Sequence, residues 1–177
     1  IQERNATEKN EYYKGEVFAM SGATKEHNKI VASLIVEIGN HLKGKGCSLM
    51  PSDMRVHNEL NTLYTYPDVV ITCGEEKYLD DEFDTLLNPT IIIEVLSVST
   101  KDYDRGTKFS LYRSIPSLKN YLTISSMEYA AELYTRDGEQ WILTTASGLD
   151  KHIYLSAINY QLPLSEVYAQ VLDLEKN

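Results

Sequence analysis

Ile30, Val31, Leu34, Ile35, Ile38 and Leu42 recur at intervals of three and four residues, and that spacing predicts an amphipathic helix. Thr24 is placed to cap its start, and Lys43 to Gly46 reads as its stop. Ahead of it, the run YYKGEVFAM sets two short aromatic or apolar stretches about Gly15, which predicts a hairpin over residues 8–20. After the helix, CSLMPSDMRVHN, YTYPDVVITC and PTIIIEVLS are three strand candidates, the first bent at Pro51. The acidic EEKYLDDEFDTLLN between the last two predicts a loop with a helical turn. SVSTKDYDRGTKFSLYRSI reads as a second helix with Phe109, Tyr112 and Ile115 as its apolar stripe, and Ser99 with Asp102 fits a capping box. LKNYLTIS, EYAAELYTR and QWILTTA alternate like strands, and LPLSEVYAQVLDL returns to helical spacing, predicting a C-terminal helix over residues 163–173. The order of helix, strands, helix and strands predicts an α/β fold in which one mixed central sheet is flanked by helices, with its core over residues 24–145.

Composition narrows the setting. A chain of 177 residues with 42% hydrophobic and 24% charged residues can bury one real core, and it reads as one domain over residues 1–177. No apolar run reaches membrane length, and Cys47 and Cys73 lack any metal-ligand spacing. Together these predict a cytoplasmic protein with reduced thiols and no membrane partner. The net charge of −9 argues against loose electrostatic attachment to nucleic acid. Any polyanion would need a local basic patch or bound cations.

One residue breaks the apolar pattern. Glu94 interrupts IIIEVLS, a run that reads as a strand buried on both faces, where an ionised carboxylate costs several kcal/mol unless it is paired or bound to metal. Period two puts Asp68, directly after Pro67, on the face of Val70, and Glu94 on the face of Ile92 and Leu96. If the two strands are neighbours, the carboxylates lie close. At about 4 Å they repel by roughly 4 kcal/mol at an effective dielectric near 20, which calls for a cation or a shared proton. Carboxylates with a main-chain carbonyl suit Mg²⁺. Glu37, His27 and His41 border the stripe of the first helix, and Glu37 is placed to reach the same site from above. Lys108, four residues after Asp104 and next to Phe109, lies near the edge of the second helix's stripe, where its ammonium can hold a water or offset phosphate charge. The plainer alternatives stay open at this level. Glu94 can form a structural ion pair with Lys108 or Arg105, Asp68 can terminate a turn, and Glu37 and His27 can be ordinary helix residues.

YPDVVI followed by PTIIIEVLSVSTKDYDRGTKFSLY, with EHNKIVASL and PSDMRV upstream, resembles the Uma-two family of restriction endonucleases in the PD-(D/E)XK nuclease superfamily. The likeness runs from Tyr12 to Arg136. It implies a restriction-endonuclease-like core and a deoxyribonuclease that hydrolyses DNA phosphodiesters with Mg²⁺ or Mn²⁺. Asp68, Glu94 and the carbonyl of Val95 are the implied metal ligands, and Lys108 and Glu37 the implied further catalytic groups. The superfamily pattern sets a lysine two residues after the glutamate, where this chain has Leu96, so Lys108 is the implied replacement. Asp53 has no role assigned by the likeness. Lys101, Arg105 and Arg113 are candidates for contact with the DNA backbone, and a homodimer follows from the need for two cuts in a duplex. The alternative is a nuclease-fold binding or regulatory module without turnover.

Overall fold

A computed structural model describes residues 9–19, 22–79, 85–171 and 174. The hairpin forms as predicted, with β1 (Asn10–Tyr13) and β2 (Glu16–Ala19) joined through Lys14 and Gly15. Both turn residues have positive φ, 49° and 93°, as a tight two-residue hairpin requires. Helix α1 (Lys25–Leu42) starts where Thr24 Oγ1 accepts the amide N–H of His27 at 3.2 Å. It is followed by β3 (Cys47–Pro51), β4 (Arg55–Asn58), β5 (Leu63–Thr65), β6 (Val69–Cys73), β7 (Thr85–Leu86) and β8 (Ile91–Leu96). The second helical segment has three parts: α2 (Lys101–Tyr103), a π-helical turn at Asp104–Lys108, and α3 (Phe109–Tyr112). Strands β9 (Asn120–Ser125), β10 (Ala130–Asp137), β11 (Gln140–Ser147), β12 (His152–Leu155) and β13 (Tyr160–Pro163) lead to the short α4 (Leu164–Val167).

The strands do not make one sheet. The central sheet has six strands in the order β11-β10-β9-β8-β6-β3, mixed because β8 and β9 run parallel while the other neighbours are antiparallel. A second sheet, β2-β1-β5-β4-β7, takes the hairpin, the second half of the first expected strand as β4 and the first half of the next as β5. Pro51 does more than bend its strand: β3 ends there, and the chain crosses to the second sheet as β4. Likewise β5 and β6 lie in different sheets on either side of Pro67. A third pair, β12 with β13, occupies residues that carried no expected strand or were assigned to the C-terminal helix, which the structure reduces to α4.

Two cores sit on opposite faces of the central sheet. On one, α1 buries Ile30, Leu34, Ile38 and Leu42 against Val69, Ile71, Ile93 and Val95. On the other, Val70 and Ile92 meet Tyr112 and Tyr121, together with Val56, Leu63 and Leu86 of the second sheet. Strand alternation sorts these sets, since residues i and i+2 share a face. The capping box expected of Ser99 and Asp102 does not form. Thr100 is the cap residue, and its Oγ1 accepts the Ser97 N–H at 3.3 Å upstream of the helix. Cys47 and Cys73, opposite each other on β3 and β6, are joined as a disulfide, which corrects the expectation of two reduced thiols. In the acidic stretch, where a loop with a helical turn is expected, the described residues form no helical turn and include the strand β7; residues 80–84 lie outside those described. Among the described residues, no helix is long and apolar enough to cross a membrane.

Candidate active site

Glu94 sits in the middle of β8 on the face turned toward the π-helical turn. It is 4% exposed, and its Oε1 accepts two hydrogen bonds of 3.0 Å, from Lys108 Nζ and from the Tyr112 hydroxyl. Lys108 reaches that face because the helical segment packs over it through Tyr112 and Leu111. Within the π turn, Asp104 and Lys108 both point inward and Gly106 faces open space. Such widened turns are rare and concentrate at functional sites. The Tyr121 hydroxyl donates to the Asp104 carbonyl at 2.9 Å and pins the turn to β9.

The ammonium of Lys108 lies 3.0 Å from Glu94, 3.0 Å from Glu11 and 3.5 Å from Asp104. Glu11 comes from the N-terminal hairpin. It accepts a short hydrogen bond from the Thr65 hydroxyl, and that oxygen is itself 3.1 Å from the Tyr112 hydroxyl. One buried cation therefore faces three buried carboxyls, with Asp68 alongside. Burial pushes the Glu94 carboxyl up to about 8; Lys108 pulls it down, while Asp104, Asp68 and Glu11 push it further up. Asp104 is raised as well, by burial first and against the pull of Lys108. Burial would lower Lys108, yet Glu94, Glu11 and Asp104 outweigh it and hold the ammonium well above the ordinary lysine value.

Asp68 stands one residue before β6. The register pairs Val69 with Ile93, so its extension sets Asp68 opposite Glu94 on the same face, with Cβ atoms about 5 Å apart by ordinary cross-strand geometry. Asp68 Oδ2 accepts the Val95 N–H at 2.7 Å and lies 3.1 Å from His27 Nε2. Asp68, Glu94, Val95 and Lys108 line a cavity of about 750 Å³ together with Glu11, His27, Tyr103 and Asp104. Asp68 Oδ1 and Glu94 Oε2 carry no hydrogen bond among the described residues. No group of three or more His, Cys, Asp or Glu side chains among those residues is gathered as a ready-made metal cage.

Of the residues singled out in the sequence, the fold gathers Asp68, Glu94, Val95 and Lys108 and leaves Glu37 out. The α1 face that carries the core packs against Val69, Ile93 and Val95, the side of the sheet opposite Glu94. Glu37 also lies ten residues past His27, about 15 Å along the helix. Its Oε2 accepts the Tyr160 hydroxyl at 3.0 Å, and burial followed by Glu37 pushes that phenol up to about 12. Asp53 is exposed and paired with Lys9, and Arg105 is paired with Glu132 at 3.0 Å rather than with Glu94. Sequence reasoning missed Glu11 and Asp104. Glu11 carried little signal, since it follows the polar Lys9 and Asn10 and stands before, not within, the Tyr12-Tyr13 pair.

The mixed sheet and the helices packed on it form a nuclease fold with a restriction-endonuclease-like core. In structure the chain is similar to a protein from Anabaena variabilis described as "a putative nuclease belonging to DUF820", with a TM-score of 0.78, 14% identity, and coverage of 94% of this chain and 93% of that one. In sequence it is 35% identical over 156 residues to the uncharacterised protein sll1609 of Synechocystis, covering 88% of each chain. It is also 35% identical over 167 residues to the uncharacterised protein slr1290 of the same organism, covering 94% of this chain and 86% of the relative. The model of the Uma2 family, described as "Putative restriction endonuclease", matches residues 1–165, and the chain belongs to that family.

Proposed function

We propose that this protein is a divalent-metal-dependent endonuclease that hydrolyses phosphodiester bonds in DNA, with Mg²⁺ as cofactor and Mn²⁺ as substitute. The observation that carries the reading is a surplus of carboxyls at the wall of a cavity: three buried ones, Glu94, Glu11 and Asp104, around one ammonium, with the half-buried Asp68 alongside. A structural ion pair needs one acid for one base, and each further carboxyl gathered beside it adds a desolvation cost that the pair alone does not require. The donor set fits Mg²⁺, which keeps several waters and needs only one or two carboxylates from the protein. Asp68 Oδ1, Glu94 Oε2 and the Val95 carbonyl would supply its protein oxygens. The bound ion would polarise the scissile phosphate and lower the pKa of a water.

The chain's own groups do the rest. Val95 N–H holds Asp68 by Oδ2 and leaves Oδ1 to the cavity. Glu11 and Asp104 keep Lys108 protonated and in place beside Glu94, where the ammonium orients the attacking water or offsets charge on the phosphorane. A site of this kind cuts one strand, so duplex cleavage calls for a homodimer. DNA as substrate goes with action in the cytoplasm.

One observation favours a second reading, a nuclease-fold binding or regulatory module without turnover: Lys108 is already engaged by three carboxyls. Incubation of the wild type, Glu94→Gln and Lys108→Ala with single-stranded, nicked and duplex DNA in Mn²⁺ decides between them. Cleavage by the wild type that both variants lose supports the endonuclease. Metal uptake or DNA binding without cleavage supports the module.

A further inference from the structure

We propose that His27 is a positioning residue for Asp68, fixing the carboxylate so that Oδ1, and not Oδ2, is offered to a divalent cation. The inference rests on the metal-dependent reading above and assigns the work of presenting the metal-facing oxygen to a residue outside the acidic cluster.

Helix α1 lies on the face of the sheet away from Glu94, so most of its side chains are shut out of the site. Its first turn is the exception. That turn overhangs the start of β6, where Asp68 stands, and His27 lines the cavity with Asp68 and Glu94. The backbone there is fixed, because Thr24 Oγ1 accepts the His27 N–H at 3.2 Å. From this anchored position Nε2 meets Asp68 Oδ2 at 3.1 Å, and the two side chains are only 13% and 16% exposed. A carboxylate only accepts, so the proton of this bond resides on Nε2.

The same oxygen takes the Val95 N–H at 2.7 Å. Rotation about the terminal torsion of an aspartate is soft and roughly two-fold, so a single donor would leave both oxygens able to exchange places. Two donors on Oδ2, one from strand β8 and one from helix α1, hold the carboxylate in one orientation. The other ring nitrogen, Nδ1, is buried with no hydrogen-bond partner among the described residues. A histidine chosen for structure alone would satisfy both nitrogens or give way to an apolar residue. Keeping the ring at the expense of an unpaired Nδ1 marks the Nε2 contact as the reason for its presence. Hydrogen-bonded partners of metal-ligating groups typically change metal affinity by about 10- to 100-fold when removed.

The test is calorimetric titration of the metal-stripped protein with Mn²⁺, comparing wild type, His27→Ala, His27→Gln and Asp68→Ala, each first checked for folding by circular dichroism and thermal melting. Glutamine presents an N–H at a reach close to that of Nε2. Expected is a loss of about 10- to 100-fold in Mn²⁺ affinity for His27→Ala, with His27→Gln restored to within about threefold of wild type. A folded His27→Ala that binds Mn²⁺ as the wild type does overturns the inference, and so does a folded His27→Gln that is no better than the alanine variant. Wild-type protein that takes up no Mn²⁺ overturns the metal reading and this inference with it. Uptake by wild type that Asp68→Ala loses leaves the metal reading standing, and the His27 variants then judge the inference alone.

Discussion

Replacing Glu94 by Gln is expected to stabilise the metal-free protein while abolishing its proposed activity. The folded-state value of about 8 stands above the ordinary 4.5, with burial as the main cause. A carboxyl raised in this way contributes its full stability below pH 4.5 and loses it progressively as the pH climbs to about 8. The slope is about 1.4 kcal/mol per pH unit, so by pH 7 the penalty reaches about 3 kcal/mol. The substituted glutamine would titrate in neither state and would still accept from Lys108 Nζ and the Tyr112 hydroxyl, which lie 3.0 Å from Glu94 Oε1 in the wild type. Lys108 would keep Glu11 and Asp104 as charged neighbours. After some loss of attraction between Lys108 and position 94, a net gain of about 2 kcal/mol is expected at pH 7, a rise in Tm of about 4–8 °C for a chain of this size. Urea denaturation of both proteins in EDTA at pH 5, 6, 7 and 8 measures it, and the gap between them should widen with pH. A variant less stable than wild type at pH 7, or a gap that stays constant from pH 5 to 8, refutes the electrostatic account of the site.

Three further outcomes follow from the same geometry. Lys108→Met, which strips the cation from Glu94, Glu11 and Asp104, is expected to cost about 3–5 kcal/mol in urea denaturation without metal, and Mn²⁺ should recover part of that loss. The bond between Cys47 and Cys73 closes a loop across 26 positions, so Cys73→Ser should lower stability by roughly 2–4 kcal/mol, and thiol titration of the unreduced, unfolded wild type should find no free thiol. Leu34→Ala, in the core beneath α1 on the face away from Glu94, should cost about 2–5 kcal/mol and leave Mn²⁺ affinity per folded molecule unchanged.

Much of this was legible from periodicity. The apolar spacing of α1, its Thr24 cap, the Lys14-Gly15 turn and the strands about Glu94 and Asp68 all carry local signals that tertiary structure did not override. What stayed hidden was the partition of strands between sheets. Pro51 and Pro67 each end one segment and release another, and nothing in a single chain says that the released half pairs elsewhere. Glu37 misled because helical spacing fixes a residue's place on its own helix and not the face of the sheet on which that helix lies. The disulfide was missed for a similar reason, since a sequence separation of 26 gave no hint that Cys47 and Cys73 stand opposite each other. Glu11 and Asp104 were overlooked because each, taken alone, looks like a solvated acid; their burial depends on Lys108 lying between them.

Leu96 explains how the lysine of the proposed site can come from elsewhere in the chain. A lysine at that position would share the face of Glu94, since residues two apart on a strand point the same way. Leu96 is instead 1% exposed and apolar. The ammonium arrives on the same face by another route, from a helical segment that packs over Glu94 and widens into a π turn at Asp104–Lys108. A strand-borne lysine would be held by its own backbone, whereas a lysine delivered from above needs side chains to fix it. Glu11 from the hairpin and Asp104 one turn earlier do that. Under the proposed mechanism these two acids hold a lysine that comes from outside the strand, and they make the site more acidic than a strand-borne lysine would require. That surplus adds to the burial that chiefly raises Glu94, and under the proposed mechanism a divalent cation is what relieves it. In a chain with a net charge of −9, the same cation gives a phosphodiester a reason to enter a cavity whose walls would otherwise repel it.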